Sequence, residues 1–313
     1  MGSERLLPEV DDDDAPTVEI ERDFRSGIRP KPVRASDDSD KTGEMPAVDP
    51  RYELREMIGS GGMGTVVAAV DKTTGQEVAL KLLRSAAPHT THLRRLAREA
   101  ETVRRVDSAH VPRIQEMSTD GPRPYIVMER LRGESLRDRL RRTPGGLPLR
   151  DAVDIIVQLL RALEDVHSAG IIHRDVKPAN VFLVGSSVKL IDFGLAKPPG
   201  DARTSSLDSF GTIDYLAPER LLEHTNVDHR VDIWAAGITL FVALTGAHPF
   251  RRDEWRDQLD ATLLDDPPLV SAYRTDVPRL VDDVLAMALA KEPADRFASA
   301  RTFRHALLAA AGG

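Results

Sequence analysis

Three short motifs, in one fixed order, constrain this chain of 313 residues more than any other feature. Residues 173–180 read HRDVKPAN, residues 192–194 read DFG, and residues 217–219 read APE. Each run alone is compatible with an ordinary polar turn, but the three together at these spacings are improbable by chance.

The residue types in these motifs suit the transfer of a phosphoryl group. Asp175 can accept the proton of a hydroxyl group, and Lys177 is a compact cation that can offset charge on a phosphate. Asn180 and Asp192 supply hard oxygen ligands of the kind that Mg²⁺ prefers. Such a reaction depends mainly on positioning and charge neutralisation, which polar side chains on a rigid loop can provide.

With these motifs, the chain resembles the eukaryotic-like serine/threonine protein kinases, in particular the bacterial ones. The resemblance implies an α+β, bilobal fold, with a small antiparallel β-sheet N-lobe containing one key helix and a larger, mainly helical C-lobe. It implies ATP and Mg²⁺ as cofactors, with Mn²⁺ as a substitute, and Asn180 and Asp192 as metal ligands. It also implies that Asp175 and Lys177 are catalytic, and Lys177 is typical of kinases that act on Ser and Thr.

A glycine-rich segment, IGSGGMGTV at residues 58–66, matches the pattern G-x-G-x-x-G that dinucleotide-binding folds and kinases share. The β-branched and apolar residues 65–70 predict a strand after it, whereas a Rossmann site requires a helix there. A glycine hairpin without a ligand remains the alternative. By resemblance, the nucleotide-binding loop comprises Ile58, Gly59, Ser60, Gly61, Gly62, Met63, Gly64, Thr65 and Val66.

Lys81 interrupts a short apolar strand predicted over residues 77–83, EVALKLL. A buried cation requires a partner, and an amphipathic helix predicted over residues 90–106 places Glu99 at the margin of its apolar stripe. The resemblance implies that Lys81 contacts the nucleotide phosphates and that Glu99 holds Lys81, both as catalytic residues. Without Lys81, Glu99 is interpreted as one more solvated charge on this helix.

Residues 124–131, PYIVMERL, predict a strand that leads into the kinase hinge, where backbone groups bind the adenine edge by resemblance. Their residue types alone would equally suit an ordinary core. The resemblance completes the nucleotide-binding set with Ala79, Lys81, Met128, Glu129, Leu131 and Phe182.

The C-terminal part of the chain is predicted to be helical. Apolar residues at three- and four-residue spacings predict a helix over residues 149–167. Residues 233–250 contain no Asp, Glu, Lys or Arg and reach the lower length limit of a membrane span. The polar and helix-breaking residues within this run favour a buried central helix instead. By resemblance, residues 173–180 form the catalytic loop and Asp232 binds its backbone. The resemblance also implies that Glu219 pairs with Arg296.

Hydroxyl groups are abundant between Asp192 and Glu219, and they are either candidate phosphorylation sites or ordinary loop residues. The resemblance implies that Arg174 receives a phosphate there and orders the segment. The candidate acceptors are Thr204, Ser205, Ser206 and Ser209. Thr212 lies in the same regulatory segment, where the resemblance implies a structural contact with the catalytic Asp and Lys.

Residues 1–50 differ in composition from the rest of the chain. They contain 14 acidic residues, seven basic residues and six prolines, and they are predicted to form an acidic, disordered tail. The excess of seven acids equals the net charge of −7 of the whole chain, so residues 51–311 are balanced. These form the predicted catalytic domain, with the N-lobe at about 51–131 and the C-lobe at about 132–311. A balanced domain gives no reason to expect nucleic acid as a partner.

The chain contains no cysteine, which excludes disulfides and thiolate metal sites and favours a reducing compartment. Neither a signal peptide nor a lipidation motif is recognisable, so we expect a cytoplasmic protein without a membrane anchor. The expected activity is transfer of the γ-phosphoryl group of ATP to Ser or Thr of proteins, including a second copy of itself in trans, in intracellular signalling. The alternatives are a small-molecule phosphotransferase and a pseudokinase scaffold, which would usually lack one of Lys81, Asp175, Asn180 or Asp192.

Overall fold

Most strands lie in the first part of the described chain and most helices in the second. The computed structural model describes residues 48–61, 64–83, 100–119, 124–193, 213–222, 224 and 227–312. The strands β1 to β8 are Tyr52–Gly61, Gly64–Asp71, Glu77–Leu83, Ile114–Ser118, Tyr125–Glu129, Glu134–Ser135, Val181–Val184 and Ser187–Leu190. The helices α1 to α7 are Leu136–Arg141, Leu149–Ser168, Pro218–Leu221, Arg230–Thr245, Trp255–Leu264, Leu280–Ala288 and Ala300–Gly312. Residues 100–104 are also helical.

The first five strands form one antiparallel sheet in the order β1-β2-β3-β5-β4. Its register pairs Val66 with Lys81 and Ala79 with Met128. Cross-strand partners and alternate residues of a strand share a face, so these four side chains lie on one face of the sheet. The other face carries a separate core of Tyr52, Val67, Ala69, Val78, Leu80, Leu82, Tyr125 and Val127. Lys81 therefore points away from this core.

The strands predicted around Lys81 are confirmed, because β2 covers the apolar run at residues 65–70 and β3 spans Glu77–Leu83. The helix predicted over residues 90–106 lies largely outside the described residues. Its described part is helical at residues 100–104, where Ala100 and Val103 are buried as the apolar spacing requires.

The helical part of the molecule is built around α2 and α4, which pack against each other. Helix α2 begins at Leu149 and ends at Ser168, close to the predicted bounds. The uncharged run forms most of α4, in which 14 residues are buried. Gly246 caps the C-terminal end of this helix with a φ of 71°, which glycine tolerates without strain. No helix in the described part of the chain is long and apolar enough to cross a membrane. The prediction of a buried central helix is thus confirmed, and so is the bilobal α+β fold.

Candidate active site

Asp232, at the start of α4, holds the backbone of the catalytic loop. Its two carboxylate oxygens accept the backbone N–H groups of His173 and Arg174, each at 2.8 Å, and its Oδ2 also lies 2.8 Å from His167 Nε2. Burial by itself would raise the pKa of Asp232, but these hydrogen bonds outweigh it and hold the pKa below its ordinary value. The predicted contact between Asp232 and this loop is confirmed.

The loop needs such an anchor because its backbone is strained at Arg174. Arg174 has a φ of 64°, in the left-handed region that non-glycine residues rarely occupy. A conformation of this kind costs about 1 to 3 kcal/mol and persists only where its surroundings determine it. Arg220 adds a further contact, since its Nη1 donates to the Arg174 carbonyl oxygen at 2.8 Å. Both backbone polar groups of Arg174, its N–H and its carbonyl oxygen, are therefore hydrogen-bonded, which fixes the backbone just before Asp175.

Asp175 is bound by both of the polar residues that follow it in the motif. Lys177 Nζ lies 3.1 Å from Oδ1 and 3.0 Å from Oδ2 of Asp175. Asn180 Nδ2 donates to Asp175 Oδ2 at 2.9 Å and to the Asp175 carbonyl oxygen at 2.7 Å. The carboxylate is buried, and a cation and an amide stabilise its charge.

His173 links the catalytic loop to the segment that carries Asp192. Its Nδ1 accepts the backbone N–H of Asp175 at 3.3 Å, and its Nε2 lies 3.1 Å from the carbonyl oxygen of Ile191. Complete burial lowers the pKa of His173, so the ring is neutral, with the proton on Nε2 donated to Ile191. The ring also packs on Phe193, with 4.8 Å between centroids.

Lys81 pairs with Asp192 across the site. Its Nζ lies 2.7 Å from Asp192 Oδ1, and the lysine side chain is only 9% exposed. The predicted partner, Glu99, lies outside the described residues, so its pairing with Lys81 remains a prediction. The pair connects the sheet face that carries Lys81 to the DFG segment that carries Asp192.

Asn180 and Asp192 fit the demands of a divalent cation of the magnesium type. Because Asn180 donates through Nδ2 to Asp175, its Oδ1 remains as an oxygen ligand. The Asp192 carboxylate is 40% exposed and offers a second oxygen ligand. Among the described residues no group of three or more His, Cys, Asp or Glu could hold a metal. Two protein ligands suffice for Mg²⁺ where phosphate oxygens and water complete its coordination.

The proposed nucleotide-binding residues lie around the same sheet face. Gly59, Ser60 and Gly61 on β1 pair with Val66, Thr65 and Gly64 on β2, which makes this loop a hairpin. Gly62 and Met63, at its tip, lie outside the described residues. A Cβ on Gly64, whose φ is 148°, would lie 2.0 Å from the Leu82 carbonyl oxygen, so only glycine fits there. Ala79 is buried, while Ile58 is 44% exposed.

Gly133 brings the chain that follows Leu131 onto strand β7. A Cβ at Gly133 would lie 1.9 Å from the Leu183 carbonyl oxygen and 3.2 Å from the Phe182 ring. Leu131 and Phe182 are both partly exposed. This close approach places Phe182 beside the segment between the two sheets.

The candidate regulatory residues are described only in part. Arg174 and Arg220 both line a small cavity beside the catalytic loop, together with Asp175, Leu216 and Asp232. Arg174 Nε is buried without a hydrogen-bond partner among the described residues. Burial and the nearby charge of Arg174 lower the pKa of Arg220. Outside the described residues lie Thr204, Ser205, Ser206, Ser209 and Thr212.

Sequence reasoning did not single out Lys189 or the side chain of Glu129. Lys189 stands between Val188 and Leu190 in β8, and its Nζ donates to the Glu129 carboxylate. A single lysine in an apolar strand is the signal that identified Lys81, and it could have identified Lys189 as well.

The chain matches the family model of the protein kinase domain over residues 52–308. It is 38% identical over 263 residues to a probable serine/threonine-protein kinase of Corynebacterium efficiens, a match that covers 80% of this chain and 40% of the relative. It is 35% identical over 271 residues to the serine/threonine-protein kinase PknA of Mycobacterium tuberculosis, covering 84% of this chain and 62% of PknA. The chain thus spans less than two thirds of the length of these relatives.

Among solved structures, the kinase domain of Mycobacterium tuberculosis PknI, crystallised as a point mutant, is similar. The TM-score is 0.68 at 31% sequence identity, and the match covers 85% of this chain and 98% of the PknI domain.

Proposed function

This chain belongs to the protein kinase family, among the bacterial serine/threonine kinases, and from that membership we propose that it transfers the γ-phosphoryl group of ATP to Ser or Thr of proteins. One observation carries the proposal: Asp175 is buried and bound by both Lys177 and Asn180, while Lys81 and Asp192 meet at 2.7 Å. A pseudokinase usually lacks at least one of four residues. All four are present in this chain, namely Lys81, Asp175, Asn180 and Asp192.

In the proposed reaction, the hydroxyl oxygen of the substrate forms a bond to the γ-phosphorus of ATP. The bond from that phosphorus to the oxygen bridging the β- and γ-phosphates breaks, and ADP leaves. Asp175 orients the hydroxyl and accepts its proton. Lys177, held 3.0 Å from Asp175, offsets negative charge on the transferring group. Lys81 binds the phosphates from the sheet side.

We propose Mg²⁺ as the metal ion, with Mn²⁺ as a substitute, held by Asn180 Oδ1 and the Asp192 carboxylate. The ion would neutralise charge on the phosphates when bound. Titration of the Asp192→Asn variant with ATP tests these ligands. We expect Mg²⁺ to tighten ATP binding in the wild type and to have little effect in the variant. An equal effect of Mg²⁺ on both proteins would contradict the assignment.

The activity itself is tested with labelled ATP, Mg²⁺ and a generic Ser/Thr protein acceptor. We expect label on the acceptor with the wild type and a loss of about 10² to 10⁴-fold with Asp175→Asn. Asp154→Asn is the matched control, because Asp154 is an exposed carboxylate on α2. Label on small hydroxylated metabolites but on no protein would identify a small-molecule phosphotransferase. No label from a folded, nucleotide-binding chain would identify a pseudokinase.

We further propose that the chain phosphorylates a second copy of itself at one or more of Thr204, Ser205, Ser206 and Ser209. The support is the Arg174 guanidinium, whose buried Nε has no partner among the described residues and is ready to bind an anion. Phosphatase treatment should lower the activity of the wild type but not that of Arg174→Gln. Mass spectrometry that shows full activity with no phosphate between Asp192 and Glu219 would contradict this proposal. We place the reaction in the cytoplasm, because it consumes ATP.

A further inference from the structure

Lys189 joins three segments of the chain that are distant in sequence. It lies in β8, three residues before Asp192, and its side chain is 17% exposed. Its Nζ donates to the carboxylate of Glu129, at the end of β5, and to the carbonyl oxygen of Val111 at 3.2 Å. We call this arrangement of Lys189, Glu129 and Val111 the Lys189 joint.

Backbone contacts surround the joint and connect the same three segments. The N–H of Leu190 donates to the His110 carbonyl oxygen at 2.8 Å, and His110 Nδ1 lies 3.0 Å from the Val188 carbonyl oxygen. The N–H of Glu129 donates to the Arg113 carbonyl oxygen at 2.9 Å. Residues 110–113 therefore lie between the end of β5 and strand β8 and are bonded to both.

The residues that follow strand β8 are connected directly to both candidate metal ligands, Asn180 and Asp192. Beyond Leu190, the N–H of Ile191 donates to the Asn180 carbonyl oxygen at 2.9 Å, and the Ile191 carbonyl oxygen accepts from His173. Asp192 follows at once, with a φ of 58° that leaves its backbone little freedom. A shift of β8 must therefore move the oxygens of both Asn180 and Asp192.

Glu129, in contrast, belongs to the end of the five-stranded sheet, where the chain passes toward the second sheet at Glu134. That covalent crossing alone would allow the two lobes to rotate about it. The bond from Lys189 to Glu129 is an attachment beside the crossing, additional to the pair of Lys81 and Asp192, and it restrains rotation about the crossing. The joint thus contributes to the separation between the end of β5 and Asp192.

We propose that Lys189 is a positioning residue that couples the adenine end of the nucleotide site to the Asn180 and Asp192 end. This inference rests on the proposed function, since it concerns how ATP with Mg²⁺ spans the two ends. A ligand that reaches both ends benefits from their fixed separation, whereas a ligand confined to the adenine end does not. Loss of the joint should therefore weaken binding of the longer ligand selectively.

The test compares Kd values for ATP with Mg²⁺ and for adenosine, measured by calorimetry on the full chain. In Lys189→Met we expect the Kd of ATP with Mg²⁺ to rise about fivefold and the Kd of adenosine to stay unchanged. Lys189→Arg, which keeps the charge and the donors, should restore at least half of the lost affinity. The matched control is Arg304→Met, because Arg304 is 16% exposed and pairs with Glu164 at 3.3 Å, within the C-lobe.

A double-mutant cycle assigns the effect to the pair. If Lys189 acts through Glu129, Glu129→Gln should weaken binding of ATP with Mg²⁺, and the double variant should bind it no more weakly than Lys189→Met. Additive losses would overturn the proposal. So would an equal loss for adenosine, or an unchanged Kd for ATP with Mg²⁺ alongside a lowered melting temperature, which would mark Lys189 as merely structural.

The result also separates this inference from the proposed function. If the wild type transfers phosphate and Lys189→Met binds ATP with Mg²⁺ as tightly as the wild type does, only the inference about Lys189 is wrong. If the wild type binds neither adenosine nor ATP, the proposed function and the inference are both wrong.

Discussion

Arg296 binds Glu219 through two parallel hydrogen bonds of 2.7 Å, and both side chains are almost fully buried, at 0% and 5% exposure. The pair joins helix α3, which follows the segment between Asp192 and Glu219, to the segment before α7. The remaining donors of Arg296 bind the carbonyl oxygens of Ala290, Lys291 and Arg230. If one partner is removed, the charge of the other stays buried and cannot reach water. A substitution of one residue alone therefore leaves an uncompensated buried charge.

Removal of one partner should therefore destabilise the protein strongly. We expect Glu219→Gln to lower the free energy of unfolding by about 3 to 5 kcal/mol, because it leaves a buried guanidinium without its counter-charge. Urea denaturation measures this change. The control is Glu254→Gln, an exposed carboxylate, which should change the free energy of unfolding by less than about 0.5 kcal/mol. Equal effects of the two substitutions would contradict the prediction.

Asp232→Asn should lower catalytic activity in a protein that still folds. In the wild type, the backbone N–H groups of His173 and Arg174 each donate to a different carboxylate oxygen of Asp232. The side-chain amide of Asn has only one acceptor oxygen, so one of these hydrogen bonds is lost. Misplacement of Asp175 by this loss should lower kcat by about 10²-fold, as measured by transfer of labelled phosphate. Asp283→Asn, on the exposed side of α6, should leave kcat unchanged. Wild-type kcat in Asp232→Asn would show that the anchor is dispensable.

Stability should rise between about pH 8 and pH 10 through Lys291. Burial lowers the pKa of Lys291 to about 8 from its ordinary value near 10.5. Between these values the unfolded chain binds a proton that the folded chain does not, so the free energy of unfolding increases with pH. Below pH 8 both states are protonated, and this contribution does not change further.

Lys291→Met provides the comparison that isolates this group. The side chain of Lys291 lies 4.1 Å from the centre of the Phe250 ring and donates to the Thr262 carbonyl oxygen at 3.0 Å. From pH 8 to pH 10, denaturation curves should show the wild type gaining about 2 kcal/mol relative to the variant. A constant difference between the two proteins over this range would show that the pKa of Lys291 is not lowered.

Gly133→Ala should destabilise the protein and impair nucleotide binding together. The added Cβ would meet the Leu183 carbonyl oxygen at 1.9 Å, so β7 must move away from the segment after Leu131. We expect a loss of about 2 to 3 kcal/mol in the free energy of unfolding, and a weaker affinity for adenosine, measured by calorimetry. Gly59→Ala is the control for stability, since its Cβ would lie 3.8 Å from Val66.

Local patterns in the sequence were enough to predict several elements. The bounds of β3 follow from a short apolar run and those of α2 from helical spacing, because both patterns reflect which side chains of a segment are buried. The contacts of Asp232 were predictable through the resemblance. In the structure Lys81 pairs with Asp192, and this pairing was not predicted. Sequence reasoning considered only Glu99, on the next predicted helix, as its partner.

The sequence by itself determined the chemistry of this protein: which oxygens, amides and cations are present, and in which short loops they stand. Only the tertiary structure decided which of these groups meet. Arg174 adopts a strained backbone because Asp232, which lies far along the chain, binds its N–H. Lys189 meets Glu129 because the fold brings β8 next to the end of β5. Such contacts depend on the relative placement of whole elements, which no local pattern of residues encodes.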